Sequence, residues 1–101
     1  MPHVYILTCA DGSYYVGSTR DLLRRLNQHR TGLGSKYTSK RLPVELAWAE
    51  EYERIDEAYA MEKRLQGWSH AKREALIRHG VAGVKGWSAR TRRRNGGRSA
   101  G

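Results

Sequence analysis

Two tyrosines, Tyr5 and Tyr15, stand ten residues apart. Arg25 follows ten residues later, His29 four after that, and Glu62 lies on a later segment. Phenols and imidazoles exchange protons, a guanidinium holds an anion, and a carboxylate holds a proton or a cation. The aromatic inventory points the same way. With six Tyr, three Trp and no Phe, every benzenoid ring in the chain brings a polar atom. Spacing of four puts Arg25 and His29 on one helix face. Glu62, four residues after Ala58, borders an apolar stripe and does not face fully outward.

Positioning these five groups requires a hairpin and at least two helices. Val4-Tyr5-Ile6-Leu7 and Tyr14-Tyr15-Val16 are rich in strand formers, and the Asp11-Gly12 between them is a strong hairpin signal. Strands are expected near 3–8 and 13–17, with Gly17 ending the second. Ser18, Thr19 and Asp21 are candidate N-caps for a helix from about 20 to 30, carrying Leu22, Leu23 and Leu26 and stopping at Gly32. The polar stretch from Gly32 to Arg41 reads as a loop. Alternation of Val44, Leu46 and Trp48 predicts a third strand. Asp56 as cap and Ile55 as staple open a second helix along Ala58, Met61, Leu65 and Trp68. Ser69 caps a third, which carries Ala71, Ala75, Leu76 and Ile77 and ends near Gly80. The expected fold class is α+β: a three-stranded antiparallel sheet flanked by helices, in the order ββαβαα. Residues 1–80 form the folded domain, and residues 81–101 form a basic tail expected to be mobile.

Charge narrows the partner. The chain of 101 residues has a formal net charge of +9. Residues 85–101 hold six basic groups and no acid, so the remainder is only +3. Within that remainder residues 20–41 carry +6, residues 45–62 carry −6, and residues 63–84 carry +4. A basic excess of this kind points to a polyanion, most often nucleic acid. No apolar run approaches the roughly 18 residues of a membrane span. Cys9 is the sole cysteine, which excludes an internal disulfide and a multi-cysteine zinc site. A cytoplasmic, reducing setting and a monomer or weak dimer are expected.

His3-Val4-Tyr5, then Tyr15-Val16-Gly17, then Arg25, then Glu62 resembles the GIY-YIG nuclease family, with Val4 in place of Ile and His3 in place of the first Gly. The likeness covers residues 3–79. Gly17-Ser18-Thr19, the Gly34-Ser35-Lys36-Tyr37-Thr38 segment and the Glu62 helix look most like its small stand-alone bacterial branch. The resemblance implies phosphodiester hydrolysis with one divalent cation, Mg²⁺ or Mn²⁺. Glu62 would be its protein ligand, with Glu57 the second candidate, since Mg²⁺ often binds through one carboxylate plus substrate phosphate. Arg25 would donate to the phosphate at the transition state. Tyr5 or Tyr15 would deprotonate the attacking water, helped by nearby positive charge because a free phenol has a pKa near 10. His29 would relay that proton or hold a phenol in place.

Each residue also has a plainer use. The tyrosines can pack across strands, Arg25 can pair with Asp21, Glu62 can be a solvated glutamate beside Lys63 or Gln66, and a histidine suits a helix C-terminus. His3, His70 and His79 read as surface or structural residues, and Trp48 and Trp68 as core. Arg20, Arg24, Lys36, Tyr37, Lys40 and Arg41 are candidate contacts to nucleic acid, together with Arg92, Arg93 and Arg94 of the tail. With no recognition helix for the major groove, the expected substrate is single-stranded or branched DNA. The competing readings are a non-catalytic nucleic-acid-binding module, acting on DNA or RNA, and a protein adaptor using the acidic 45–57 belt.

Overall fold

The computed structural model of the chain describes residues 1–84. Arg92, Arg93, Arg94 and Trp87 lie outside the described residues, as does most of the expected tail. The predicted hairpin forms from β1 (His3–Thr8) and β2 (Tyr14–Thr19), but β2 does not end at Gly17 as expected: it stays paired with β1 through Ser18 and Thr19. The Asp11 carboxylate accepts from both the Ser13 amide, at 3.0 Å, and the Ser13 hydroxyl, and Gly12 supplies the positive φ of 85° that the turn requires. A third strand, β3 (Glu45–Glu51), pairs with the other side of β1, so the antiparallel sheet has the order β2-β1-β3. The central strand is consequently the buried one: Val4, Tyr5, Ile6 and Leu7 are all inaccessible.

Helix α1 (Leu22–Arg30) starts at Asp21, whose carboxylate accepts from the Arg24 amide, and the chain turns away at Gly32, with φ of 86°. Of the three candidate caps, Asp21 is therefore the one used. The stretch from Gly32 to Arg41, read as a loop, contains a single helical turn, α2 (Lys36–Ser39). Ser35 caps it by accepting from the Thr38 amide at 3.1 Å. Helix α3 (Ile55–Gln66) also corrects the expected cap. Arg54 occupies the cap position, and Glu57 reaches back to its amide at 3.2 Å. Asp56 pairs with the Arg54 guanidinium, and Ile55 is the first helical residue. Helix α4 (His70–His79) follows Ser69, and a four-residue turn α5 (Val81–Val84) stands where irregular chain was expected.

The chain divides into two compact units, Met1–His70 and a second beginning at Ala71. The first contains the whole sheet and α1 to α3. One of its core clusters is Tyr5, Leu7, Cys9, Leu26 and Val44, with Tyr15, Leu22 and Ala49 packed against it. Helix α3 lies against β1 and β2. Trp48 and Trp68 are half-buried. Among the described residues no helix is long and apolar enough to cross a membrane.

Candidate active site

The buried face of the hairpin begins a hydrogen-bond chain across three elements. The Tyr5 hydroxyl on β1 meets His29 Nε2 on α1 at 2.8 Å, and His29 Nδ1 meets Thr38 Oγ1 on α2 at 2.9 Å. Thr38 Oγ1 lies 2.9 Å from Ser35 Oγ. Tyr5, His29 and Thr38 have essentially no exposed surface. Two glycines make room for this chain. Gly17 is the cross-strand partner of Tyr5, and a Cβ there would come within 2.6 Å of the Tyr5 Cζ. A Cβ at Gly34 would come within 2.5 Å of the His29 Cγ.

Burial sets the protonation of the pair. It pushes the Tyr5 phenol up to about 12, against the opposing pull of the Arg25 guanidinium. Burial first, and the charge of Arg25 second, push His29 down to about 4. At neutral pH the pair is a phenol and a neutral imidazole, so His29 donates at one ring nitrogen, accepts at the other, and is not a ready store for a proton.

Tyr15 is half-buried beside this chain, its ring centroid 5.1 Å from that of His29 and 6.5 Å from that of Tyr5. Tyr37 stacks beyond it at 6.1 Å, and the Arg41 guanidinium lies 3.7 Å from the Tyr37 ring centroid. Arg41 also bonds to Asp11 at 3.0 Å and to the Tyr37 carbonyl at 3.0 Å. Of the expected nucleic-acid contacts, Arg41 is thus tied into the hairpin turn, while Lys36 and Lys40 are exposed on and just after α2.

Around the end of β2, a cleft of about 320 Å³ is lined by Ser18, Thr19, Arg20, Asp21, Arg24, Arg25 and Gln28. Three arginines line it, so it suits an anion. Arg25 donates to Gln28 Oε1 at 3.1 Å, while Asp21 is occupied in capping α1. The Tyr5 hydroxyl beside Arg25 holds its guanidinium pKa above the ordinary value, against the opposing effect of burial. Ser18 faces the cleft and also donates its hydroxyl to Glu62 Oε1 on α3. Gln66 donates to Glu62 Oε2 at 3.0 Å, one of the plainer contacts expected for Glu62.

Both Glu62 oxygens are therefore oriented by neutral donors on a half-buried carboxylate. That suits a single-carboxylate cation site, which keeps most of its ligands as water and phosphate. Glu57 is engaged in capping α3. Among the described residues no group of three or more His, Cys, Asp or Glu could enclose a metal. The remaining histidines play local parts where contacts are seen: His3 bonds the Met1 carbonyl, and His70 stacks on Tyr14 at 4.3 Å. Sequence reasoning gave Gln28 no role, named Ser18 only as a candidate cap and within a motif, and named Ser35 and Thr38 only within a motif. Only the Ser35–Thr38 spacing, a cap followed three residues on by a hydroxyl, carried a local signal.

The structure thus places a tyrosine pair on a hairpin, an arginine and a histidine on the following helix, and a glutamate on the helix after β3. The description of the GIY-YIG catalytic domain matches residues 1–75, and the chain belongs to that family. Within it the chain is similar to small UPF0213 proteins of archaea and bacteria. It is 45% identical over 77 residues to one from Halobacterium salinarum, covering 76% of this chain and 100% of the relative. It is 44% identical over 75 residues to one from Bacillus pumilus, covering 74% and 76%. The solution NMR structure of the UPF0213 protein BH0048 from Bacillus halodurans is 38% identical, with a TM-score of 0.52 over 80% of this chain and 88% of that one.

Proposed function

We propose that the chain is a metal-dependent endonuclease that hydrolyses phosphodiester bonds in single-stranded or branched DNA. One observation carries the reading: Ser18 lines the three-arginine cleft and also holds the Glu62 carboxylate. A place for a phosphate and a place for a cation are thus joined by one side chain. The GIY-YIG membership supports the same reaction class. A divalent cation at Glu62, Mg²⁺ or Mn²⁺, would neutralise phosphate charge and stabilise the leaving oxygen.

The chain's own residues do the rest. Arg25 receives the scissile phosphate with its planar fork, and Arg20 and Arg24 grip neighbouring phosphates. Tyr15, the less buried of the two tyrosines, orients the attacking water, takes its proton and releases its own phenolic proton to solvent. The water oxygen bonds to phosphorus as the bond to the leaving oxygen breaks, and that leaving oxygen takes up a proton from solvent. Arg25 stabilises the negative charge that builds on the phosphate oxygens. Tyr5 is fully enclosed and held by His29, so it positions the constellation from beneath. Residues 1–80 form the nuclease unit, and the basic residues beyond Val81 add phosphate contacts.

Cleavage of labelled single-stranded, duplex and branched DNA, with Mg²⁺, Mn²⁺ or EDTA, tests this. Wild type cuts only with metal, and Glu62→Gln and Arg25→Ala each lose on the order of 100-fold or more in rate. Equal background from wild type and both variants, with DNA still bound, overturns the reading in favour of a binding module.

A further inference from the structure

Thr38 is a polar side chain with no exposed surface, on a helix of only four residues. Ordinary helix propensity does not explain its burial. Its surroundings do. The Thr38 amide is taken by the Ser35 hydroxyl at 3.1 Å, and Thr38 Oγ1 lies 3.4 Å from the Ser35 carbonyl, an acceptor only. If the Thr38 hydroxyl proton is directed to Ser35, its oxygen is left to accept. The group facing it is His29 Nδ1, at 2.9 Å. A neutral imidazole carries one proton, so a proton on Nδ1 leaves Nε2 bare, and Nε2 faces the Tyr5 hydroxyl at 2.8 Å. In this tautomer every member of the chain has a matching donor or acceptor, with the Ser35 carbonyl taking the Thr38 hydroxyl proton and the Tyr5 hydroxyl donating to Nε2, and no buried side-chain polar atom among the described residues is left without a partner.

We infer that Thr38 is a positioning residue: its hydroxyl fixes the Nδ1–H tautomer of His29, and the bare Nε2 then fixes the direction of the Tyr5 hydroxyl. The same short helix exposes Lys36 and Tyr37, with Lys40 just beyond it. Gly34 belongs to the device, because a side chain there would push the imidazole off Thr38. The link to cutting rests on the nuclease reading, but the tautomer itself does not.

The experiment reads the two separately. In ¹⁵N-labelled full-length protein at neutral pH, the ring-nitrogen shifts of His29 report which nitrogen is protonated. Wild type and Thr38→Ser show the Nδ1–H form, while the near-isosteric Thr38→Val loses it in favour of Nε2–H. In the cleavage assay Thr38→Val lowers kcat about tenfold or more with KM within about twofold, and Thr38→Ser restores most of the rate. An Nε2–H tautomer in wild type, an unchanged tautomer in Thr38→Val, or no recovery in Thr38→Ser overturns the inference. A wild type that cuts nothing but shows the tautomer switch defeats the nuclease reading and leaves the positioning role standing. The wild-type and Thr38→Ser spectra decide the tautomer even where Thr38→Val does not fold.

Discussion

His29 is an ionisable side chain sealed inside the first unit, and its pKa of about 4 makes acid a direct challenge to the fold. The ordinary histidine value is 6.5, so between pH 6.5 and 4 an unfolded chain binds a proton that the folded chain refuses. This contribution to stability is complete above about pH 6.5 and is lost as the pH falls toward 4. Its upper size is about 3 kcal/mol, from the gap between the two pKa values. The Asp11 carboxyl, held down chiefly by the Ser13 hydroxyl, and the Asp56 carboxyl, held down chiefly by Arg54, act only below their ordinary value of 3.8 and so do not blur this window. Urea unfolding at several pH values between 7.5 and 4 should show stability falling through this range. In His29→Gln the fall should largely disappear, although the starting stability is lower. An equal slope in both proteins would place the acid sensitivity elsewhere.

At the scale of elements, α1 carries Arg24 and Arg25 of the cleft together with His29, and its N-cap residue serves two opposed purposes. Asp21 caps α1 by accepting the Arg24 amide, yet it places a carboxylate in a cleft built for anions. Asn caps as well as Asp, so Asp21→Asn should keep the helix while removing the charge. The expected result is unchanged stability and several-fold tighter binding of single-stranded DNA. Asp21→Ala should cost about 1 kcal/mol in unfolding free energy. Weaker binding in the Asn variant would show that Asp21 serves the site by its charge. The same elements show what sequence can reveal. The strands and α1, α3 and α4 announce themselves by period and turn chemistry. Four residues of α2 make no periodic stripe, and its stability comes from the Ser35 cap and from burying Thr38 against His29, contacts visible only once α1 is in place. Asp56 and Glu57 are adjacent carboxylates, and only the backbone path decides which one closes the cap. The ordered set from Tyr5 to Glu62 could be read from types and spacing. Its supports could not: Ser18 and Glu62 are 44 residues apart, and nothing local connects them.

At the scale of the whole molecule, the formal charge of +9 is unevenly divided along the chain. The arginine cleft lies within Met1–His70, and all five residues proposed for the chemistry belong to that unit. Residues 85–101 add six basic groups and no acid, while residues 45–62 carry −6. A chain whose body is only +3 has little general attraction for a polyanion, so the basic end should supply much of the affinity and little of the chemistry. Each contact between a basic group and a phosphate releases condensed counterions, worth a slope of about 0.7 in log K against log salt on a single strand. Deleting residues 85–101 should therefore weaken DNA binding at low salt and make the salt dependence shallower by up to about 4, the value for six contacts. Cleavage at saturating DNA should stay within about threefold of wild type, because Arg25, Tyr15 and Glu62 are untouched. Arg20→Ala or Arg24→Ala should each flatten the slope by about 0.7. Unchanged binding after the deletion would assign the phosphate grip wholly to the cleft, whereas lost cutting at saturation would mean that the basic end also places the scissile bond.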